Sequence, residues 1–205
     1  MKAKRILFGF GLLMAFGILL SSCTKVSSNG ETIVPIGKEY FDVEKLFSEV
    51  KPSFDEVKGI MGIGDEDLIP PKLDNLYNVN RMRLIGSNYD EAPTSISDIE
   101  MRFDCQHNSI ANIEFTESSI TQKTDSVYVI GNRDKFTIYF VEERDYPIIN
   151  YHVKLKRGII MSGSVVQGGL SDLRIAFIVI DWEDDSHGAL HSYNPGTYMI
   201  YEVED

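Results

Sequence analysis

Ile99-Glu100-Met101-Arg102-Phe103-Asp104 sets an apolar residue at every second position and a charge after each. A period of two is what a β-strand shows when one face meets a core and the other meets water. The alternation recurs along the chain. Phe136, Ile138 and Phe140 alternate with Thr137 and Tyr139, and Tyr151, Val153 and Leu155 alternate with His152, Lys154 and Lys156. Leu173, Ile175, Phe177 and Val179 share one face, with Arg174 opening the other. Shorter candidates are residues 81–85, 111–116, 126–130, 159–166 and 197–203. Turn-forming residues stand between them: Gly131-Asn132-Arg133-Asp134, Arg157-Gly158, Gly168-Gly169 and Asn194-Pro195-Gly196. About eight or nine short strands punctuated in this way imply a mainly β fold, an antiparallel β-sandwich or a barrel-like sheet.

Strands are expected from about residue 78 onward, and the stretch before them reads as helical, near residues 42–61. Val43, Leu46, Phe47 and Val50 fall at spacings of three and four, one face of a helix. Pro52 is expected to interrupt it. Ser53-Phe54-Asp55-Glu56 has the pattern of a capping box opening a second short helix, which would end near Gly59 or Gly62.

Further outward lies the N-terminus. Met1-Lys2-Ala3-Lys4-Arg5 is basic, and Ile6 to Leu20 is wholly uncharged. That run has the length of a signal-peptide core and is short for a membrane span, which takes about 20 apolar residues. It closes on Leu20-Ser21-Ser22-Cys23: an apolar residue, two small ones and a cysteine. This resembles the lipobox of bacterial lipoproteins. The resemblance implies that residues 1–22 are a signal peptide and that Cys23 carries lipid, so the membrane is a partner through that anchor. Thr24 stands where Asp holds such proteins at the inner membrane, which implies the outer membrane. No acidic cluster follows Cys23, which favours the periplasmic side over surface display. Residues 23–37 then form a flexible tether, and residues 38–205 a single domain. The run from Ser162 to Phe177, with Asn194-Pro195-Gly196-Thr197-Tyr198, is loosely similar to C-terminal strands of uncharacterised β-sandwich lipoproteins of Bacteroidota. That likeness implies no activity.

Charge and cysteine count narrow the function. The chain carries 20 Lys and Arg against 31 Asp and Glu, a net charge of −11. Removing residues 1–22 takes away three cations and no acid, giving −14. Such a chain repels nucleic acid, which is excluded as a partner. Of the 2 cysteines, a lipidated Cys23 leaves Cys105 alone and no intramolecular disulfide. Cys105 is then expected to be a half-buried small hydrophobe, since a Cys–His pair with His107 is too close along one strand.

No nucleophile elbow, phosphate loop, dinucleotide fingerprint or zinc-protease motif occurs, and no cofactor is implied. One constellation bears weighing: Asp181, Glu183, Asp184 and Asp185, with His187 and His191, within eleven residues. Asp181, Glu183 and Asp185 at alternate positions are candidate calcium ligands, although Ser186 sits where an EF-hand turn needs Gly. The histidines have the spacing of zinc ligands on a helix, but Gly188 argues for a loop. A solvated acidic loop is the default. Trp182, the only tryptophan, is a candidate for stacking on a sugar face, or for covering the end of the core. Lys154, Lys156 and Arg157 form the one basic cluster, on a strand's outer face and its turn. The function expected is that of a lipid-anchored, non-catalytic binding or structural module of the cell envelope, facing a glycan or another envelope protein. The rival is a carbohydrate-active hydrolase using paired carboxylates.

Overall fold

The alternating segments form strands, longer than their sequence signals. In the computed structural model, residues 43–64, 68–73, 75–117, 120–148, 151–184 and 193–204 are described. The long strands are β2 (Leu76–Ser87), β3 (Ser95–His107), β4 (Ile110–Glu117), β5 (Ile120–Asn132), β6 (Lys135–Ile148), β7 (Tyr151–Val166) and β8 (Gly169–Asp184), followed by the shorter β9 (Tyr198–Val203). Each pairs antiparallel with the next. β9 also returns to β2, from Met82↔Val203 to Ser87↔Met199. The eight therefore make an up-and-down meander whose sheet closes on itself. Of the two architectures the alternation allowed, it is the barrel. A two-residue strand, β1 (Leu68–Ile69), runs parallel beside the end of β5 at Gly131 and Asn132.

An eight-stranded barrel has an interior that side chains can just fill. Here Met101, Phe103, Ile113, Phe115, Phe136, Ile138, Phe140, Met161, Ile175 and Phe177 are among the buried residues that fill it. A second buried cluster lies outside the wall. Phe47, Val50, Phe54, Val57 and Met61 pack on Tyr128, Tyr139, Ile160, Ala176, Ile178, Tyr198 and Ile200. Phe47 lies between α1 (Val43–Leu46) and a 3-10 turn (Ser48–Val50) that ends on Val50, and the other three come from α2 (Lys51–Met61). β8 is thus covered on both faces, which is why Ile175 to Ile180 are buried without a break.

Three local expectations change. Pro52 does not stop the helix; it lies in the first turn of α2, where its missing N–H costs nothing, and no side-chain cap forms at Ser53. Gly62 closes α2 in the left-handed conformation at φ 69°. Arg157-Gly158 is not a turn, because β7 runs straight through it. Gly158 instead clears space for Phe47: a Cβ there would overlap the Phe47 ring. That ring stacks on Phe54 at 4.5 Å between centroids and 5° between planes.

Candidate functional site

At the barrel end where β4 gives way to β5 and β6 to β7, the inward positions stop being apolar. β6 runs Phe136, Ile138, Phe140, Glu142, and β4 runs Ala111, Ile113, Phe115, Glu117. Glu142 lies directly opposite Arg157 in the β6–β7 register, so a carboxylate and a guanidinium share the inward face. Glu142 Oε1 accepts from Arg157 Nε and lies 3.0 Å from Arg144 Nε. Its Oε2 accepts from Arg144 Nη2 at 3.3 Å. Arg157 Nη2 donates to Glu117 Oε2 at 2.5 Å, and Arg144 Nη2 stands 3.3 Å from the same oxygen. The Glu142 side chain is 0% exposed and that of Arg144 5%. Two acids and two bases thus cancel in a site that water hardly reaches, the condition under which buried charge is tolerated.

Aromatic rings flank the quartet. The Arg157 guanidinium lies over Phe177, 4.3 Å from the ring centroid, a cation–π contact. Tyr201 donates its hydroxyl to the Pro93 carbonyl at 3.1 Å. Burial, helped by the negative charge of Glu117, pushes that hydroxyl up to about 12. Trp182, half-buried, meets Tyr193 edge-on at 5.2 Å, and Tyr193 meets Tyr89 at 5.1 Å. This end therefore carries ring edges as well as the ion network. No protein-family model, curated protein or solved structure matches this chain. Its chemistry rests on its own geometry.

The residues singled out by sequence are distributed as follows. Asp181 and Glu183 belong to β8 rather than to a loop. They stand opposite Lys156 and Lys154 of β7, with Glu183 3.6 Å from Lys154 Nζ. The Glu183 carboxylate thus answers a lysine across the strand pair, while Asp181 Oδ1 accepts the Trp182 N–H at 2.9 Å. Asp185, His187 and His191 lie outside the described residues, and among those described no group of three or more His, Cys, Asp or Glu could hold a metal ion. Trp182 sits opposite Leu155, at the end of the core rather than on a free loop. Arg157 parts from Lys154 and Lys156, turning inward where they point out. Cys23 lies outside the described residues. Cys105, expected as a lone thiol, is disulfide-bonded, and no free cysteine occurs among the described residues. It lies on β3 at φ 51°, within the register shift between Asp104 and His107. The lone-thiol expectation followed from spending the Cys23 sulfur on lipid, and Cys23 is the only other cysteine in the sequence.

Sequence reasoning missed the quartet itself. Its signal is present: Glu142 and Arg144 continue the inward parity of Phe136, Ile138 and Phe140, so charge enters the core register.

Proposed function

We propose that this chain is a lipoprotein of the bacterial envelope, attached through Cys23 to the outer membrane on its periplasmic side. Its barrel serves as a non-catalytic module that binds a glycan or another envelope protein. One observation carries the non-catalytic half: the carboxylates buried at the barrel end are already engaged by arginines. Both oxygens of Glu142 and one of Glu117 contact Arg144 or Arg157. A glycosidase needs one carboxyl free to protonate the leaving group and another facing the sugar or a water. A carboxylate already bonded to two guanidiniums suits neither task. The apolar edges of Trp182, Tyr193 and Tyr89 suit contact with a sugar face or a protein surface.

The lipobox reading supports the anchor, and Cys23→Ala tests it. In a bacterial host with the lipoprotein pathway, the parent is expected in the membrane fraction. The variant is expected either as an uncleaved precursor or released from the membrane. If the variant is processed and fractionates like the parent, the anchor is wrong. Mass spectrometry of the mature parent adds a second readout, because a sulfur bearing lipid cannot join a disulfide. The disulfide at Cys105 and a lipid on Cys23 exclude each other, so acylated Cys23 with a titratable Cys105 thiol supports the anchor and overturns that disulfide, whereas an unacylated mature chain with no free thiol refutes the anchor.

A further inference from the structure

The barrel wall has a gap at the end opposite the ion quartet. β9 ends at Val203, paired to Met82 of β2, and its contact with β8 ends at Glu202↔Arg174. β2 reaches six residues further, to Leu76, and β8 five further, to Gly169. Among the described residues, 76–80 of β2 lie beyond β9 with β3 as their one ladder partner, and 169–171 of β8 pair only with β7. The two edges face one depression of about 660 Å³. Asn75's carbonyl accepts from Phe103 of β3. By the alternation of an antiparallel ladder that starts from Asn75, the backbone groups of Leu76 and Asn78 are turned away from β3 and toward the gap. Glu204 still donates its N–H to the Arg81 carbonyl at 3.4 Å, so the ladder is entered and then left unfinished. Tyr77, Val79, Leu170, Leu173 and Val203 bring apolar surface to the gap.

We propose that this slot binds an extended, uncharged strand of a partner protein, inserted between β2 and β8 in line with β9. Two open edges give such a strand backbone hydrogen bonds on both sides, the arrangement by which strand addition gains affinity. Val79, Leu170 and Val203, half-buried at the gap, favour apolar side chains at alternate positions. The charges at the rim are matched among themselves, Arg81 with Glu204 at 3.2 Å and Arg174 with Glu202 at 3.6 Å. A charged strand would meet those four side chains already matched. A second copy of this chain is disfavoured as the occupant, because each copy carries −11 and like charge opposes the approach. The inference gives the binding-module reading a site and a class of partner. It does not depend on the lipid anchor.

The probe is the acetylated and amidated peptide Thr-Val-Thr-Val-Thr, titrated to about 1 mM into the full chain and followed by amide chemical shifts. Saturable shifts confined to residues 76–81, 169–173 and 203–204 are expected. Asn78→Pro removes one slot-facing N–H and leaves β3 pairing intact, and it should weaken binding roughly tenfold. Leu170→Lys, which alters the floor without touching the ladder, should also weaken it and keeps the test open if the proline variant fails to fold. No saturable binding, shifts centred on the Trp182 end, or unchanged affinity in a folded variant would overturn the proposal. So would concentration-dependent dimerisation that consumes the slot. None of these results bears on the Cys23→Ala fractionation.

Discussion

Glu142→Ala removes the acid that holds the ion quartet together. Its side chain is fully buried and contacts Arg157 Nε and both Arg144 Nε and Nη2. After truncation, Glu117 alone faces two guanidiniums, and one positive charge is left uncompensated away from water. Breaking a buried pair from one side costs about 3–5 kcal/mol, against a total stability of about 5–15 kcal/mol for a folded domain. In a chain of this size each kcal/mol shifts Tm by about 2–4 °C, so a fall of roughly 6–20 °C is expected. Urea unfolding followed by circular dichroism, with the emission of the lone Trp182 as a second probe, measures the loss directly. The double variant Glu142→Met with Arg144→Met removes both signs of charge and leaves the Arg157–Glu117 pair. It should recover most of the loss, since apolar replacements of buried pairs are close to neutral. A loss below about 1 kcal/mol for Glu142→Ala would place the quartet in water, and a double variant no better than the single would show that the quartet is not one electrostatic unit.

Two further outcomes follow from the packing. Gly158→Ala should destabilise by about 1–3 kcal/mol through overpacking against Phe47, and adding Phe47→Leu should return part of that loss in thermal melts; an unchanged Tm in the single variant would disprove the close approach. Tyr198 and Tyr201 titrate in the fold at about 12 against an ordinary 10, the first through burial and then Glu56, the second through burial and then Glu117. Raised values mean the fold holds those protons more tightly. Their contribution to stability is complete below pH 10 and is lost as pH rises toward about 12. Tyrosinate absorbance should therefore climb late, together with unfolding, and a full early rise from a folded chain would refute the burial of both hydroxyls.

Strand identity was legible because alternation is a local signal, and Ile99–Asp104 carries it without help from the rest of the chain. Closure was not, since nothing in Met82 or Val203 announces that the second strand will meet the last. Gly158 misled for a physical reason: glycine marks a turn and a close approach equally well, and only the Phe47 ring decides between them. Arg157 read as part of an outer basic cluster because a turn placed beside it erased its parity; once β7 is continuous, Arg157 falls on the inward face with Ile159 and Met161. The helical cover was half legible. Ala176, Ile178 and Ile180 are apolar on the face that a single-layer sheet would leave wet, which is the mark of a second buried surface. Of the site residues named from sequence, Trp182 reached the barrel end. Asp181 and Glu183 were misplaced because a run of acids resembles a loop until the lysines opposite are known.

The seam between β2 and β9 fixes when this protein can fold. The strand that completes the cylinder, β9, docks on one more than a hundred residues upstream. Until Tyr198–Val203 leaves the ribosome, β2 and β8 both lack a neighbour, and the interior stays open to solvent. Contacts so distant along the chain close slowly. A chain of this design therefore cannot complete its core until Tyr198–Val203 is free to pair with both β2 and β8.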